Sequence, residues 1–393
     1  MATPTSQASP SAAGTGRAAT PAGAAQTRVH IPKVTAEGAA TVGGAAAGAL
    51  GLTWLLFERV LPFSGVLGFW VCFYLLFLVL YAAVAVFQWN RREATDRLSS
   101  VAFGSGGAVT LAVVVIVVGY SLAKGWTAVQ HIHFLTQTME DFDTPTAPLR
   151  DGGVLAAMVG SLEQMGLAAA ISVPLGLTGA LFLASDVGGS LARPVRVIVE
   201  AMTGLPDIVA GLFIYSLFIL GLHFQDSGIL AALAIAVTML PIIVRSAEVV
   251  IRLVPGTLRE ASYALGGSQW RTALNVIVPT CRSGLATAVV LAMARGIGET
   301  APVLFTAGYT SNLNMNPFSN PQVNLPLFIW NFAHIVGDVQ SDFERGFGAA
   351  FVLVVMVLIL FTIARMLGGG QPGELSRRQQ RRLRRSATVR REP

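Results

Sequence analysis

The stretch Ala294-Arg295-Gly296-Ile297-Gly298-Glu299-Thr300-Ala301-Pro302 carries the residues best placed to do chemistry. It lies in an apolar run, where an ionisable side chain costs about 2.5–3.5 kcal/mol on insertion scales unless it faces protein, water or a partner. Arg295 and Glu299 are four residues apart, which on a helix sets them on one face and within reach of each other. A guanidinium offers several donors in one plane, permanent charge and a bidentate fit to the oxygens of a tetrahedral oxyanion. Two readings follow. The pair is a structural ion pair, as intramembrane charges usually are, or it is an anion contact that Glu299 occupies until an anion arrives. Gly296, Gly298 and Pro302 loosen the turn, as expected where a helix must bend.

The rest of the chain shows what must hold that pair. Its 393 residues are 53% hydrophobic and only 12% charged, whereas soluble domains carry roughly one quarter charged residues. The fold expected is all-α, a polytopic transmembrane bundle. Eight runs are long enough to cross a hydrocarbon core about 30 Å thick: 42–60, 66–87, 103–123, 153–184, 205–222, 228–247, 285–308 and 347–367. The first is rich in Gly and Ala and ends in Glu58-Arg59. The fourth exceeds one perpendicular crossing and must tilt or begin at the interface.

Charge placement sets the orientation, because short cytoplasmic loops collect Lys and Arg. With both termini cytoplasmic, only Lys124, Arg150 and Arg345 fall in external segments, where acids including Glu140, Asp141, Asp143, Asp338 and Asp342 gather. Residues 1–40, rich in Ala, Thr, Ser, Gly and Pro, read as a disordered cytoplasmic arm rather than a signal peptide. Residues 41–90 form an accessory two-span segment, 91–367 the main body, and 368–393 a basic tail whose eight arginines lie between Arg377 and Arg391. That tail suits anionic lipid and lacks the aromatic residues of a nucleic-acid surface. Cys72 falls in a predicted span and Cys281 in a predicted cytoplasmic loop, so no disulfide joins them, and no Cys/His cluster has zinc spacing. His131 and His133 sit in an external loop without a convincing nucleophile, which leaves a membrane enzyme a distant reading.

The cytoplasmic stretch 248–284 is more ordered in pattern than a connector needs to be. Pro255 suits a helix start, and Leu258, Ala261, Ser262 and Leu265 then fall at helical spacing. Gly266-Gly267 ends that helix; Ser268 can cap a second, carrying Trp270, Ala273, Leu274 and Ile277, which Pro279 stops. Two interfacial helices on lipid would show the same faces. The spans on either side, which would hold the loop against the bilayer, weigh against a DNA-reading helix-turn-helix.

On these residues the loop resembles the EAA loop of ABC importer permeases, whose usual form is E-A-A-x3-G-x9-I-x-L-P. Glu260-Ala261-Ser262, Gly266 and Val276-Ile277-Val278-Pro279 keep its spacing, with small changes of similar shape at Ser262, Val276 and Val278. The resemblance implies a coupling helix that docks in a groove of an ATP-binding subunit, with Glu260, Ala261, Gly266, Gly267 and Pro279 as coupling residues. A P-loop needs Gly-Lys followed by Ser or Thr. The only two lysines are Lys33, after Pro32, and Lys124, after Ala123. This chain is therefore expected to hold no cofactor, ATP and Mg being bound by partner subunits.

From about Phe103 to Leu367 the chain resembles the A-type permease of the phosphate-specific transport system. The matching stretches are Val173-Pro174-Leu175-Gly176, Gly204-Leu205-Pro206, Leu240-Pro241-Ile242-Ile243-Val244-Arg245, Arg252-Leu253-Val254-Pro255, Leu258-Arg259-Glu260-Ala261 and Ala294-Arg295 through Thr306. The resemblance implies a type I importer core of about six spans, with two extra spans before it. It places Arg245 and Arg295 on the phosphate path, with Glu299 beside them. It further implies a second, nonidentical permease, two ATP-binding subunits and an external phosphate-binding protein, all at the cell membrane. Arg245 has a plainer reading as a positive-inside anchor at the end of span six. Asp207 stands where the family usually has a small neutral residue, and Glu163-Gln164 where it more often has apolar ones. These groups could pair with pore arginines, hydrate a vestibule or serve packing. The EAA loop alone would also permit a permease for molybdate or sulfate. A carrier without an ATPase would use Arg295 and Glu299 as gate or proton relay.

Overall fold

A computed structural model of the chain describes residues 36–60, 65–88, 91–140, 151–184, 186–334 and 340–368, and every regular element among them is helical. Most of the predicted arm, and the tail beyond Gly368, lie outside the described residues. The chain divides into two compact units between Ala112 and Val113.

The first unit holds α1 (Ala36–Leu55, continued by a π-helical turn at Leu56–Val60), α2 (Val66–Gln88) and the opening of α3 (Arg91–Val129). Helix α1 thus begins inside the stretch read as arm. Its small residues Ala45 and Ala49 are buried against Phe77 and Tyr81 of α2, because a helix without long side chains lets a neighbour come close. Along α2, Trp70 meets Phe73 edge-on at 5.7 Å, and Phe73, Phe77 and Tyr81 stack at 6.4 and 6.1 Å. Such i, i+3 and i, i+4 neighbours share one helix face. A 2.9 Å hydrogen bond between Tyr74 Oη and Ser105 Oγ ties α2 to α3. Helix α3 extends well beyond its predicted apolar run 103–123. Its polar first turns stay helical through pairs such as Arg97–Glu93 at 2.9 Å, which hydropathy does not register.

The second unit continues with α4 (Ile132–Thr136), α5 (Leu155–Ala184), α6 (Ala192–Gly204), α7 (Asp207–Ile214, then a π-helical turn at Tyr215–Gly221) and α8 (Gly228–Arg252). After them come α9 (Gly256–Ala264), α10 (Gln269–Thr272, then a π-helical turn at Ala273–Ile277), α11 (Val278–Gly296), α12 (Ala301–Leu304), α13 (Leu325–His334) and α14 (Gln340–Gly368). Helix α8 is central. Its Ile235, Met239 and Ile243 are buried in one cluster with Met165 and Ala168 of α5, Ala292 of α11 and Val303 of α12. Close backbone approach sets these crossings: a Cβ at Gly176 would stand 2.6 Å from Ile243 Cγ2, and one at Gly296 would stand 2.8 Å from Met239 Sδ.

Among the described residues seven helices are long and apolar enough to cross a membrane, or up to eight if the bent pair Gly189–Gly204 and Asp207–Gly221 makes one span. That pair turns through 105°. Pro206 accounts for the break, since proline disfavours helical backbone at the residue before it and Leu205 is extended at φ −74°, ψ 132°. The predicted fifth span, 205–222, is accordingly a short helix that opens at Asp207. The seventh, predicted as one run over 285–308, is interrupted between Gly296 and Ala301, and its helical run starts earlier, at Gln269. Cys281, predicted in a cytoplasmic loop, is buried in α11.

The eighth span also starts early. Arg345 and Asp342, predicted external, sit in α14 with side chains 1% exposed, paired at 3.2 Å. Arg345 donates from Nη2 to the Asp151 carbonyl at 3.0 Å, a contact across the chain that loop-charge counting could not anticipate. Glu163 and Gln164 turn out to anchor a return loop. Buried Gln164 donates to the Gln322 carbonyl at 2.9 Å and accepts from Asn324 Nδ2 at 3.1 Å, while Gln322 Nε2 donates to Glu163 Oε2 at 2.5 Å. Of the readings open for these two residues, the structure supports packing.

Candidate functional site

Helix α11 delivers Arg295 and then stops. Gly296 is pressed against Met239 and Ile235 of α8, and Pro302 is in the first turn of α12, where its missing N–H does no harm. Between them the backbone closes tight turns, Gly298 N donating to the Arg295 carbonyl at 3.1 Å and Glu299 N to the Gly296 carbonyl at 3.2 Å. Arg295 and Glu299 therefore meet, as their spacing predicts, but across the end of a helix rather than along one. Their Nε–Oε1 separation is 3.3 Å.

A second acid completes the cluster. Arg295 Nη2 donates to Asp207 Oδ2 at 2.7 Å. Asp207 occupies the first turn of α7, and α7 is fixed beside α12 because Gly211 lies against the Pro302 backbone, where a Cβ would be 2.6 Å from Pro302 Cα. The Arg295 side chain is 55% exposed, that of Asp207 31% and that of Glu299 13%. A guanidinium has three nitrogens; Nε and Nη2 face the acids, and Nη1 meets no acceptor among the described residues. The geometry is an open cation held from two sides, with one edge available to an anion.

Arg245 is not part of this cluster. It pairs through Nη1 with Glu200 of α6 at 3.0 Å, both side chains about half exposed. It lies six residues beyond Met239 on α8, roughly 9 Å along the helix axis, and Met239 is the residue against Gly296.

The predicted loop begins as expected. Gly267 N donates to the Ser262 carbonyl and Gly266 N to the Tyr263 carbonyl, both at 2.9 Å, so α9 closes in the two-bond glycine cap with Gly266 at φ +79°. Ser268 accepts from Arg271 N at 3.4 Å, and Ser262 Oγ meets Thr272 Oγ1 at 2.8 Å, joining the two helices. The second helix departs from expectation, because Pro279 does not stop it. The π-helical turn 273–277 carries the chain into α11, and Pro279 takes that helix's second position, where no intrahelical N–H is needed. Leu265, Trp270 and Tyr263 are 89%, 61% and 44% exposed, and Glu260, Ala261, Gly266 and Pro279 are exposed with them. Among the described residues this leaves an open face on the loop.

Four charged residues missed at the sequence level tie the loop to the bundle. Arg259 of α9 donates to the carbonyls of Ala184 and Ile251, each at 3.2 Å. Glu248, its side chain 10% exposed, binds Arg196 at 2.9 Å and Arg252 at 2.7 Å, and Arg252 also reaches the Leu183 carbonyl at 3.2 Å. Cations thus sit at the C-terminal ends of α5 and α8, where helix dipoles favour them. Only the i, i+4 spacing of Glu248 and Arg252 was a sequence signal. Beneath α9 lies a cavity of about 280 Å³ lined by Phe182, Ile251, Arg259, Tyr263 and Trp270 among others. Among the described residues no group of His, Cys, Asp and Glu is arranged to hold a metal ion.

Residues 173–368, from mid-α5 to the end of α14, match the family model described as binding-protein-dependent transport system inner membrane component. The phosphate transport system permease protein PstA 1 of Mycobacterium tuberculosis is 36% identical over 277 residues, covering 70% of this chain and 88% of that one. The phosphate transport system permease protein PstA of Haemophilus influenzae is 37% identical over 218 residues, 55% of this chain and 76% of that one. Among solved structures, the MetNI methionine ABC transporter aligns at a TM-score of 0.44 and 17% identity, over 55% of this chain and 92% of that one.

Proposed function

The chain belongs to the A-type permeases of phosphate transport systems, a family of binding-protein-dependent inner membrane components, and on that premise we propose that it forms half of the path of an ATP-driven phosphate importer. The observation that carries this reading is the Arg295 cluster. A half-exposed guanidinium with a free edge stands where α7, α11 and α12 converge, and such a cation is suited to phosphate oxygens. Arg245, also about half exposed and on the adjoining helix α8, offers a second contact, roughly 9 Å along that axis from Met239. Glu299 holds Arg295 from the buried side.

Energy enters elsewhere. The exposed face of α9 and the 265–270 turn docks in a groove of an ATP-binding subunit, which holds ATP and Mg. The Arg259 and Glu248 contacts carry its displacement to the ends of α5 and α8. A second, nonidentical permease, two ATP-binding subunits and an external phosphate-binding protein complete the assembly. With the bent pair counted as one span, the spans among the described residues number eight, an even count that suits termini on one side, and loop charge makes that side cytoplasmic in this reading. Alternating access then follows from rocking of the spans about the Arg295 level.

Uptake of radiolabelled phosphate by the assembled complex, challenged with excess unlabelled anions, tests the substrate. Unlabelled phosphate is expected to suppress uptake, and sulfate and molybdate to leave it largely intact. Equal suppression by sulfate or molybdate would assign the path to a different oxyanion.

A further inference from the structure

Asp207 is the closest partner of Arg295, 88 positions away in the chain and on a different helix. Resting on the reading of Arg295 as a phosphate contact, we propose that Asp207 is an internal stand-in for the transported anion: it holds the guanidinium while the path is empty and yields it to phosphate.

The two acids are not equivalent. Glu299 is the more enclosed, 13% exposed, and meets Arg295 at 3.3 Å; Asp207 is 31% exposed and meets it at 2.7 Å. An anion arriving from the open side reaches the Asp207 bond first. A carboxylate offers a guanidinium the same kind of charged oxygen acceptor that phosphate does, so the exchange replaces one charge-assisted hydrogen bond with another. Charge balance points the same way. Two carboxylates more than neutralise Arg295, so phosphate enters against their repulsion, and neutralising Asp207 lowers it. Once released, Asp207 remains in the first turn of α7, where the helix dipole favours a negative side chain. The packing of Gly211 on Pro302 meanwhile keeps α7 in place. The exchange is therefore local: it frees the Arg295 side chain without dismantling the helix that carried its partner.

The test reads Arg295 directly. The assembled complex in detergent is treated with a guanidinium-selective dicarbonyl reagent over a series of inorganic phosphate concentrations, and the adduct on Arg295 is quantified by mass spectrometry. The adduct on Arg92, exposed in the first turn of α3 and given no part in the path, serves as control. Partly exposed ion pairs are worth roughly 0.2–1 kcal/mol, so in Asp207→Asn the phosphate concentration giving half-protection is expected to fall roughly 1.4- to fivefold. Arg295 should also react faster there without phosphate, with Arg92 unchanged. An unchanged or raised half-protecting concentration in the variant, while phosphate still protects the parent chain, overturns the stand-in role and leaves the Arg295 reading intact. Phosphate that protects neither chain removes the Arg295 reading and this proposal together. Asp207→Ser is carried in parallel; failure of both variants to assemble makes Asp207 a structural strut and also overturns the proposal.

Discussion

Arg295→Ala is expected to lower phosphate uptake by roughly 10- to 150-fold, the loss that follows from removing a charged hydrogen-bonding group worth about 1.5–3 kcal/mol, while the complex assembles in normal amount. The side chain is more than half exposed and packs no core, its contacts being the two carboxylates. Its removal costs the bundle little and the path much. Truncation also leaves Asp207 and Glu299 facing each other without a cation, which adds repulsion toward any anion. Arg295→Lys keeps the charge but loses the planar fork, and is expected to fall between Ala and the parent chain. Uptake of phosphate at the parental rate by Arg295→Ala would remove this residue from the path.

Gly266→Val is expected to cut the phosphate moved per ATP hydrolysed by roughly 5- to 30-fold, with membrane insertion unchanged. The cause is backbone geometry. Gly266 sits at φ +79°, a region that costs an L-residue roughly 1–2 kcal/mol, and its bond to the Tyr263 carbonyl helps to close α9. Losing that cap turns the exposed face of Leu265 and Trp270 away from its present direction. A Cβ at Gly266 would meet nothing within 4 Å, so crowding inside this chain cannot explain a defect. Gly266→Asn, which enters the left-handed region readily, is expected to keep most of the coupling. Normal coupling in the valine variant would count against docking through this loop.

The spans were legible because hydropathy reports on twenty-residue averages, and the Arg295–Glu299 pair because four residues is a local distance. What escaped was mostly non-local or locally overruled. No periodicity links Asp207 to Arg295 or Gln164 to Gln322, since those contacts exist only once α5, α7, α11 and the return loop are packed. Asp207 was noticed as an unusual charge, and only the fold says which cation it serves. Pro279 reads as a helix stop in the sequence, yet the π-helical turn before it shifts the hydrogen-bonding register so that proline falls at a tolerated position. Conversely, Pro206 appears as part of a recognised Gly-Leu-Pro match, and the 105° turn that it imposes is what aims Asp207. Arg345 fell in a predicted loop because hydropathy opens the eighth span at 347, and a hydropathy average is blind to a buried pair such as Arg345–Asp342 that lets α14 begin earlier.

Vesicle uptake with the nucleotide-binding chains omitted or supplied bears most directly on the division of labour between an anion path here and an energy source elsewhere. Purified together with the second permease proposed for the complex, the chain should accumulate no phosphate until ATP-binding subunits and hydrolysable ATP are added. Accumulation at full rate by the membrane chains alone, with no nucleotide-hydrolysing protein present, would contradict it.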